Sequence, residues 1–428
     1  MTARRLAAVA AGLAAVGAAT GSVAATAPTG TEPVGSEPTG GIAQVFAEAG
    51  YDWSDLDLAD VTVDVGQLIP RSGDFSFLGD AMLAGAELAA EQIRAAGGPA
   101  IEFHTEDIGA GDPELSTAGA RTLVSDGVPV IQSSFGPATL AVVPIVEQSG
   151  TLLFQTAGAT EDQLDVSDFL WMGRPTATDP YPALADYVVE TSPDIERAAL
   201  MVWNEGSAIA SAKLITDRWT ELGNELVIEE LVAVGEADMG ASATRVVGAD
   251  AEVVFIVTFG GDTATGINAL RDAGFEGQIV GVDWNPAVTE ASGGSDDGYL
   301  FVTDAQDATL SDPFAQLYLT GYPEATGLDI DVFSALFWDN TVHIAELAAR
   351  VVREGGDPND SAAMIAALSG DPHMPNSSVG TPVAWDVETG AQTLKPHGFY
   401  LVEGGVPTLI GLVTDGELEL GASLEDAG

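Results

Sequence analysis

The chain has 428 residues, which is enough for two or three domains and a substantial hydrophobic core. Its 65 Asp and Glu residues against 14 Lys and Arg residues give a formal net charge of −51, which excludes nucleic acid and anionic lipid surfaces as partners. The content of 46% hydrophobic residues excludes a disordered chain, and the absence of cysteine excludes disulfides, thiolate zinc sites and cysteine nucleophiles.

The N-terminus has the order of a secretory signal. Arg4 and Arg5 precede an Ala/Leu/Val/Gly run over residues 6–19, and the small residues 25–27 then offer a cleavage site. We predict a signal peptide over residues 1–27, with an uncleaved membrane anchor as the alternative, and a location in the periplasm or at the cell exterior. Residues 28–60 begin with Pro, Gly, Thr and Ser and are predicted as a flexible linker, with a short helix possible after residue 42.

From residue 61 onward, apolar strands alternate with helices. Strands are predicted at residues 61–69, 101–105, 128–132, 151–155, 198–203, 225–229, 253–258, 278–282 and 299–302. Helices are predicted at residues 80–96, 112–125, 138–148, 182–190, 208–222 and 263–273, and later at 313–319, 332–352 and 361–368. A hairpin-like stretch follows over residues 381–412. The alternation and the continuous Val/Ile/Leu strands indicate parallel sheets with helices on both faces.

The predicted fold class is α/β, with two doubly wound parallel-sheet lobes. Residues 61–176 and 305–384 are assigned to the first lobe, and residues 177–304 and 385–414 to the second. The acidic residues 415–428 are predicted to be a mobile tail. The excess of acidic residues is typical of a solvated surface suited to salty surroundings, and a cationic ligand is the alternative explanation.

Motifs of catalysis and metal binding are missing from the sequence. There is no Walker phosphate loop, no dinucleotide fingerprint of the required spacing, no hydrolase elbow and no H-E-x-x-H motif. The Asp pairs at positions 55/57 and 329/331 lack the Gly and the terminal Glu of a calcium loop. We therefore expect no catalytic residue, no metal and no cofactor, and an exported hydrolase is only a remote alternative.

Four turns at the carboxyl ends of strands are candidates for ligand binding, because ligands of open α/β sheets bind there. They lie at residues 70–80, 132–137, 155–160 and 281–285. The hydroxyls and backbone amides of the first-lobe turns suit a carboxylate. In the fourth turn Asp283 suits an ammonium group, and Trp284 suits an apolar or cationic part of a ligand.

A series of segments occurs in a recognisable order: Pro70-Arg-Ser-Gly, Leu78-Gly-Asp, Gly85-Ala-Glu-Leu-Ala, Ile93-Arg-Ala-Ala-Gly-Gly, Glu106-Asp, Asp112-Pro, Leu123-Val-Ser-Asp-Gly, Val142-Val-Pro-Ile-Val-Glu, Arg174-Pro-Thr-Ala-Thr-Asp, Asn268-Ala-Leu-Arg-Asp-Ala-Gly, Phe337-Trp-Asp and Val383-Ala-Trp-Asp. This series resembles the leucine/isoleucine/valine-type solute-binding proteins of ABC importers. The resemblance extends over nearly all of residues 61–412. It implies the type I periplasmic-binding-protein fold, in which three crossover segments join two lobes that close on a solute by a hinge motion.

The resemblance also implies a set of site residues, matched by position. In that family the second and third turns hold the amino acid's carboxylate and ammonium, and the first loop, the second-lobe strand ends and the aromatic side chains beside them complete the site. The corresponding residues here are Phe77 or Leu78, Ser134, Phe135, Gly136, Ala157, Ala159, Thr160, Phe259 and Asp283, and Trp284 joins them from its place in the fourth turn. Ser207 is also predicted to contact the ligand, in the place where the family has an aromatic residue. Gly136 stands where the family has a hydroxyl, so Ser133 or Ser134 would have to supply it. Arg174 is expected to pair with a surface acid near a crossover.

These implications give the expected partners. The solute is an amino acid, branched-chain or similar, or a small amide, and the protein partner is the permease of an ABC importer. We expect a monomer. Alternative solutes are urea, a short amide, an aromatic acid or a polyamine, and a sensor ectodomain is the alternative from another functional class.

Overall fold

Buried runs of Val, Ile and Leu alternate with helices along most of the chain. The computed structural model describes residues 41–424 apart from residues 74, 177, 205, 283, 285 and 415, and without the side chains of residues 206, 207, 286 and 287. The predicted signal peptide and the start of the predicted linker, in residues 1–40, lie outside the described residues. The strands are Thr62–Ile69 (β1), Ala100–Asp107 (β2), Val130–Ser133 (β3), Leu152–Gln155 (β4), Leu170–Met172 (β5), Arg197–Trp203 (β6), Glu225–Val232 (β7), Val253–Val257 (β8), Gln278–Gly281 (β9), Leu300–Asp304 (β10), His373–Met374 (β11), Val383–Trp385 (β12), Gln392–Thr393 (β13), His397–Glu403 (β14), Val406–Thr414 (β15) and Glu417–Leu420 (β16).

The helices follow the strands in the expected alternation. They are Ile42–Glu48 (α1), Ser76–Ala95 (α2), Pro113–Asp126 (α3), Gly136–Ser149 (α4), Tyr181–Thr191 (α5), Gly206–Glu221 (α6), Gly240–Gly248 (α7), Gly261–Asp272 (α8), Pro286–Ser292 (α9), Ala315–Leu319 (α10), Gly321–Thr326 (α11), Val332–Arg353 (α12) and Ser361–Gly370 (α13). Among the described residues, no helix combines the length and the apolar character that a membrane crossing requires.

Two sheets form the two lobes. The first has the order β2-β1-β3-β4-β5 and is parallel throughout. The second has the order β16-β15-β14-β10-β9-β8-β6-β7, parallel from β7 to β10 and antiparallel from β10 to β16. Alternate residues of β8 enter separate cores on the two faces of the second sheet. Helices therefore cover both faces, and the predicted α/β fold is confirmed.

The chain passes between the lobes three times. The first crossover, residues 173–180, leads from β5 to α5, which packs on α6 of the second lobe. The second follows β10, because Ala305, Leu310 and Phe314 already belong to the first-lobe core. The third, residues 394–396, leads from the small sheet β11-β12-β13 to β14. The predicted boundary at residue 385 is too early, because Trp385 packs on Phe154 and donates its indole N–H to Met172 O at 2.6 Å, within the first lobe.

The predicted flexible linker is wrong for residues 41–60, which are folded against the first lobe. Phe46, Tyr51 and Trp53 are buried, and the rings of Phe46 and Tyr51 lie 5.2 and 5.1 Å from that of Phe314. The indole N–H of Trp53 donates to the Glu346 carboxylate at 2.8 Å. Apolar burial and one buried hydrogen bond fix this segment, although the Pro/Gly-rich residues before it gave the region the composition of a linker.

The predicted mobile acidic tail is also wrong in part. Residues 417–420 form β16, which pairs antiparallel with β15 between Thr414↔Glu417 and Gly411↔Leu420. Leu424 is buried in the first-lobe core cluster. The ladder of backbone hydrogen bonds and this apolar contact stabilise the segment despite its charge.

Candidate functional site

Three turns of the first lobe lie side by side. They follow β1, β3 and β4, which are neighbours in a parallel sheet, so their carboxyl ends share one edge. After β1, Phe77 and Leu78 lie in the first turn of α2; after β3, residues 134–136 lead into α4; and the turn after β4 holds residues 157–160. The structure thus brings together the first-lobe residues that the resemblance implied.

The second and third turns are in direct contact. The amide of Gly158 donates to Ser134 O at 2.8 Å. A Cβ placed on Gly136 would lie 2.5 Å from Gln163 Nε2 and 3.3 Å from Gly158 O, so only glycine fits there without displacement. Helix α4 begins at Gly136, and because Pro137 has no N–H, Gly136 and Ala138 carry the first-turn amides that lack helical acceptors. This pair of turns therefore offers backbone N–H groups and a helix N-terminus, which suit an anion.

The two hydroxyls expected at these turns both have partners within the protein. The buried Ser134 Oγ donates to Leu68 O at 3.0 Å. Thr160 Oγ1 donates to Asp162 Oδ1 at 2.5 Å, and Thr160 begins the short 3-10 helix Glu161–Gln163. A hydroxyl has a single hydrogen, so either group can donate to a bound carboxylate only after rotation away from its present acceptor. The side chains of Ala157 and Ala159 are buried, which leaves their backbone as the polar part.

Aromatic side chains border the first-lobe turns. Phe77 is 65% exposed, and Leu78 is half-buried against Met82 and its neighbours. Phe75, which sequence analysis missed, is 43% exposed, and its ring lies 5.9 Å from that of Phe135 in an edge-to-face arrangement. Large exposed aromatic groups at the edge of a sheet are typical of a surface that a ligand covers.

The second lobe presents aromatic groups at its own strand ends. Phe259, after β8, is 38% exposed and packs on Trp203 at the end of β6, with ring centroids 5.2 Å apart. Trp203 was not predicted, although its place at the end of a strand is a signal that could have identified it. Trp284 stacks on Phe301 at 5.7 Å and donates its N–H to Asp296 at 3.2 Å, so one side of the indole is fixed by its own lobe. Asp283 and the side chain of Ser207 lie outside the described residues.

Arg174 occupies a different position from the one expected. It pairs with an acid at a crossover, but that acid, Asp304, is buried, and so is Arg174. Its Nη1 donates to Ala157 O at 2.7 Å. His397, on the third crossover side, has Nε2 3.8 Å from Asp304 Oδ1, and burial lowers its pKa to about 4. Sequence spacing could not reveal this cluster, because Arg174, Asp304 and His397 lie at three crossovers that are far apart in the sequence.

The described side chains contain no group of His, Asp and Glu residues arranged to hold a metal ion. The first lobe offers backbone amides and a helix N-terminus, and both lobes offer exposed aromatic faces. Such a surface can hold a small molecule that has one anionic end and an apolar body.

Comparisons with known proteins agree with this geometry. The family model described as periplasmic binding protein matches residues 62–405. The chain is 28% identical over 339 residues to the Brucella melitensis protein named Leu/Ile/Val-binding protein homolog 3, covering 76% of this chain and 85% of that protein. It is 26% identical to the Rhizobium johnstonii protein named Leu/Ile/Val-binding protein BraC3, covering 81% and 94%.

Solved structures share the fold. The substrate-binding protein LivJ of Streptococcus pneumoniae, in complex with isoleucine, aligns with a TM-score of 0.71 at 20% identity, covering 82% of this chain and 99% of that one. A solute-binding protein of R. palustris, in complex with 4-hydroxybenzoate, aligns with a TM-score of 0.70 at 20% identity, covering 83% and 98%.

Proposed function

The chain belongs to the periplasmic binding protein family, and we propose that it captures a branched-chain or similar amino acid between its two lobes for an ABC importer. Members of this family are extracytoplasmic solute-binding proteins and not enzymes. The observation that carries the proposal is the contact between Gly158 and Ser134, which holds the third turn against the start of α4, where the amides of Gly136 and Ala138 lack helical acceptors. This surface fits the carboxylate that every free amino acid has.

The proposed binding sequence starts on the first lobe. The solute carboxylate docks on the amides of the second and third turns, and the side chain of the solute contacts Phe77. Hinge closure then adds Phe259, Trp284 and Asp283, and Asp283 receives the solute ammonium. Loss of water from the closed site strengthens this ion pair, because the local dielectric constant falls. The solute stabilises the closed form only by its greater affinity for that form.

A second candidate solute is an aromatic acid. The exposed rings of Phe75, Phe77 and Phe259 favour it, because they offer faces on which a planar ring can stack. The likeness to a structure with bound 4-hydroxybenzoate supports the same alternative. An aromatic acid would use the amide-lined surface for its carboxylate and would need no acidic residue opposite.

A thermal-shift screen followed by calorimetry tests both candidates. The panel is L-leucine, L-isoleucine, L-valine, benzoate, 4-hydroxybenzoate, urea and spermidine. A solute at 100 times its dissociation constant adds about 2.7 kcal/mol to the free energy of unfolding. No stabilisation by any amino acid in the panel would contradict the main proposal, and stabilisation by the benzoates alone would establish the alternative.

Substitution of Asp283 separates the two candidates further. Asp283→Asn should weaken binding of a zwitterionic amino acid by roughly 2–4 kcal/mol, because the buried ammonium then has no charged partner. Binding of benzoate should not weaken. Asp272→Asn, which removes an exposed acid from the same lobe, is the matched control. Unchanged affinity for the amino acid in Asp283→Asn would remove this residue from the site.

The remaining proposals concern the cellular setting. We propose that residues 1–27 direct export and are then cleaved, that the protein acts as a monomer, and that its closed form docks on an importer permease. The basic start and apolar run of the N-terminus support export. Sequencing of the mature N-terminus and light scattering of the purified protein test the first two proposals.

A further inference from the structure

We propose that Arg174 is a positioning residue that couples the third first-lobe turn to the hinge, so that occupancy of the turn biases the lobes toward closure. The proposal rests on the proposed function, because it assumes that a solute binds at this turn. Arg174 lies in the first crossover, the segment that leaves the first lobe directly after β5. No contact between its guanidinium and the solute is required.

The guanidinium holds two groups that belong to different parts of the molecule. Nη1 donates to the backbone carbonyl of Ala157, at 2.7 Å, in the third turn. Nη2 forms an ion pair with Asp304, the last residue of β10, where the second crossover begins. The side chains of Arg174 and Asp304 are 9% and 3% exposed, so water does not replace either contact. One guanidinium can stay close to both partners only when they keep one relative orientation.

A second bond repeats the link between this crossover and the third turn. The hydroxyl of Thr178 donates to the carboxylate of Glu161, in the short helix that follows Thr160. Thr178 follows Arg174 in the same crossover, before α5 begins. The crossover is therefore attached to both ends of the third turn, through Ala157 on one side and Glu161 on the other.

The third crossover meets the same cluster. His397 Nε2 lies 3.8 Å from Asp304 Oδ1, and Lys395 pairs with Asp339 of α12. A cavity of about 110 Å³, lined by parts of the first and third crossovers, separates these segments, so they are not close-packed. Leu394, which also lines it, has φ = 69°, a conformation that is strained for leucine. Unfilled space and a strained residue are what a hinge that changes its backbone angles requires.

The coupling follows from these contacts. A solute that hydrogen-bonds to the third turn fixes the position of the Ala157 carbonyl. The guanidinium then favours one position of Asp304, and with it one angle between the lobes. Without Arg174 the turn is tied to the hinge less tightly, through the Thr178–Glu161 bond, which weakens solute binding although no solute contact is lost.

Single-molecule energy transfer between the lobes tests this directly, because a chain without cysteine accepts two unique labels. Labels are placed at Glu102→Cys in the first lobe and Glu276→Cys in the second, both exposed positions. The variants are Arg174→Gln and Arg174→Lys, which keeps the charge near Asp304 but cannot hold both partners in one plane. Arg245→Gln, which breaks an ion pair with Glu230 away from the crossovers, is the matched control.

Both Arg174 variants should broaden the distribution of distances between the labels without any solute and raise the rate of amide exchange in residues 156–160 by about tenfold. They should also lower affinity for L-leucine by about tenfold, with the control unchanged. An unchanged distance distribution together with a lowered melting temperature would overturn the proposal, since a merely structural role predicts that result. If neither the unmodified protein nor the variants bind any solute of the panel, the proposed function fails, while the solute-free distances and exchange rates still decide the role of Arg174. Arg174→Lys keeps the test usable if Arg174→Gln does not fold.

Discussion

The ammonium of Lys395 lies 2.6 Å from Oδ2 of Asp339, and both side chains are almost fully buried. Asp339 also accepts hydrogen bonds from the amide and the hydroxyl of Ser378, at 2.6 and 2.8 Å. The pair joins the third crossover to α12 in the first lobe. The only other lysine in the chain, Lys213, is exposed and pairs with Asp217 on the same helix.

The two lysines make a matched pair for a stability experiment. Lys395→Met should lower the free energy of unfolding by about 3–5 kcal/mol, because it leaves the Asp339 carboxylate buried without a counter-ion. Lys213→Met removes an exposed ion pair and should leave the urea midpoint unchanged. Equal urea midpoints for the two variants would contradict the prediction, because they would mean that replacing Lys395 leaves no costly buried charge on Asp339.

Helices α2 and α12 approach each other closely at Gly85. A Cβ placed there would lie 2.2 Å from the backbone carbonyl oxygen of Ser334, so Gly85→Ala must push two helices apart. We expect a loss of about 1–3 kcal/mol in urea unfolding. Gly370→Ala, where nothing lies within 4 Å of an added Cβ, is the control and should not destabilise the protein. A loss of the same size in both variants would point to backbone effects and not to the helix contact.

Two buried histidines predict a loss of stability in mild acid. Burial lowers the pKa of His343 and of His397 to about 4, against the attraction of Asp339 and Asp304 respectively. In the unfolded chain a histidine titrates near pH 6.5, so below that pH the unfolded state binds more protons than the folded state. The free energy of unfolding should therefore fall by about 3 kcal/mol per histidine between about pH 6.5 and pH 4, and change little from this source above pH 6.5.

The variant His343→Phe isolates this effect. It keeps a ring to pack edge-on against Trp385, which lies 5.6 Å from His343, and it removes one titrating group. The decline in stability between pH 6.5 and pH 4, followed by urea unfolding at closely spaced pH values, should be less steep than in the unmodified protein. Parallel curves for the two proteins across this range would contradict the pKa assigned to His343.

The acidic surface predicts a strong dependence of stability on salt. With 65 acidic and 14 basic residues, mutual repulsion in the folded state is screened only when the Debye length is short, about 30 Å at 0.01 M salt and about 3 Å at 1 M. The melting temperature should rise steadily with NaCl over this range. KCl at the same ionic strengths should give the same rise, because screening depends on ionic strength and not on the identity of the cation. A melting temperature independent of salt would mean that the carboxylates are too well solvated and separated to repel each other.

Local signals in the sequence were sufficient for much of the fold. Helix α3 begins and ends where Asp112 and Gly127 predict: the Asp112 carboxylate accepts hydrogen bonds from two amides of the first turn, and Gly127 has φ = 84°. Helix α7 was missed, because it has glycine at both ends and no side-chain cap at Met239. The pairing of β16 was missed as well, because the partner strand β15 determines it, and the acidic sequence of β16 alone does not indicate a strand.

The candidate site could likewise be predicted from the sequence only in part. The strand order brings the predicted first-lobe turns together, and that order follows from the family resemblance. The bond of the Ser134 hydroxyl to Leu68 O and the ion pair of Arg174 with Asp304 depend on segments distant in sequence that meet only after folding. The bond of the Thr160 hydroxyl to Asp162 is local, but it forms only in the geometry of the short helix that follows Thr160. The roles of the twelve proposed ligand-contact residues remain predictions, to be tested by the binding experiments above.

The burial of Phe46, Tyr51 and Trp53 sets where a shortened recombinant form can begin. The family match starts at residue 62, and a chain trimmed to that point would lose all three rings and expose Phe314, against which Phe46 and Tyr51 pack. Such a fragment would expose an apolar patch that promotes aggregation in solution. Expression vectors should therefore keep the chain from Gly41 onward, even though residues 41–61 precede the part that the family model matches.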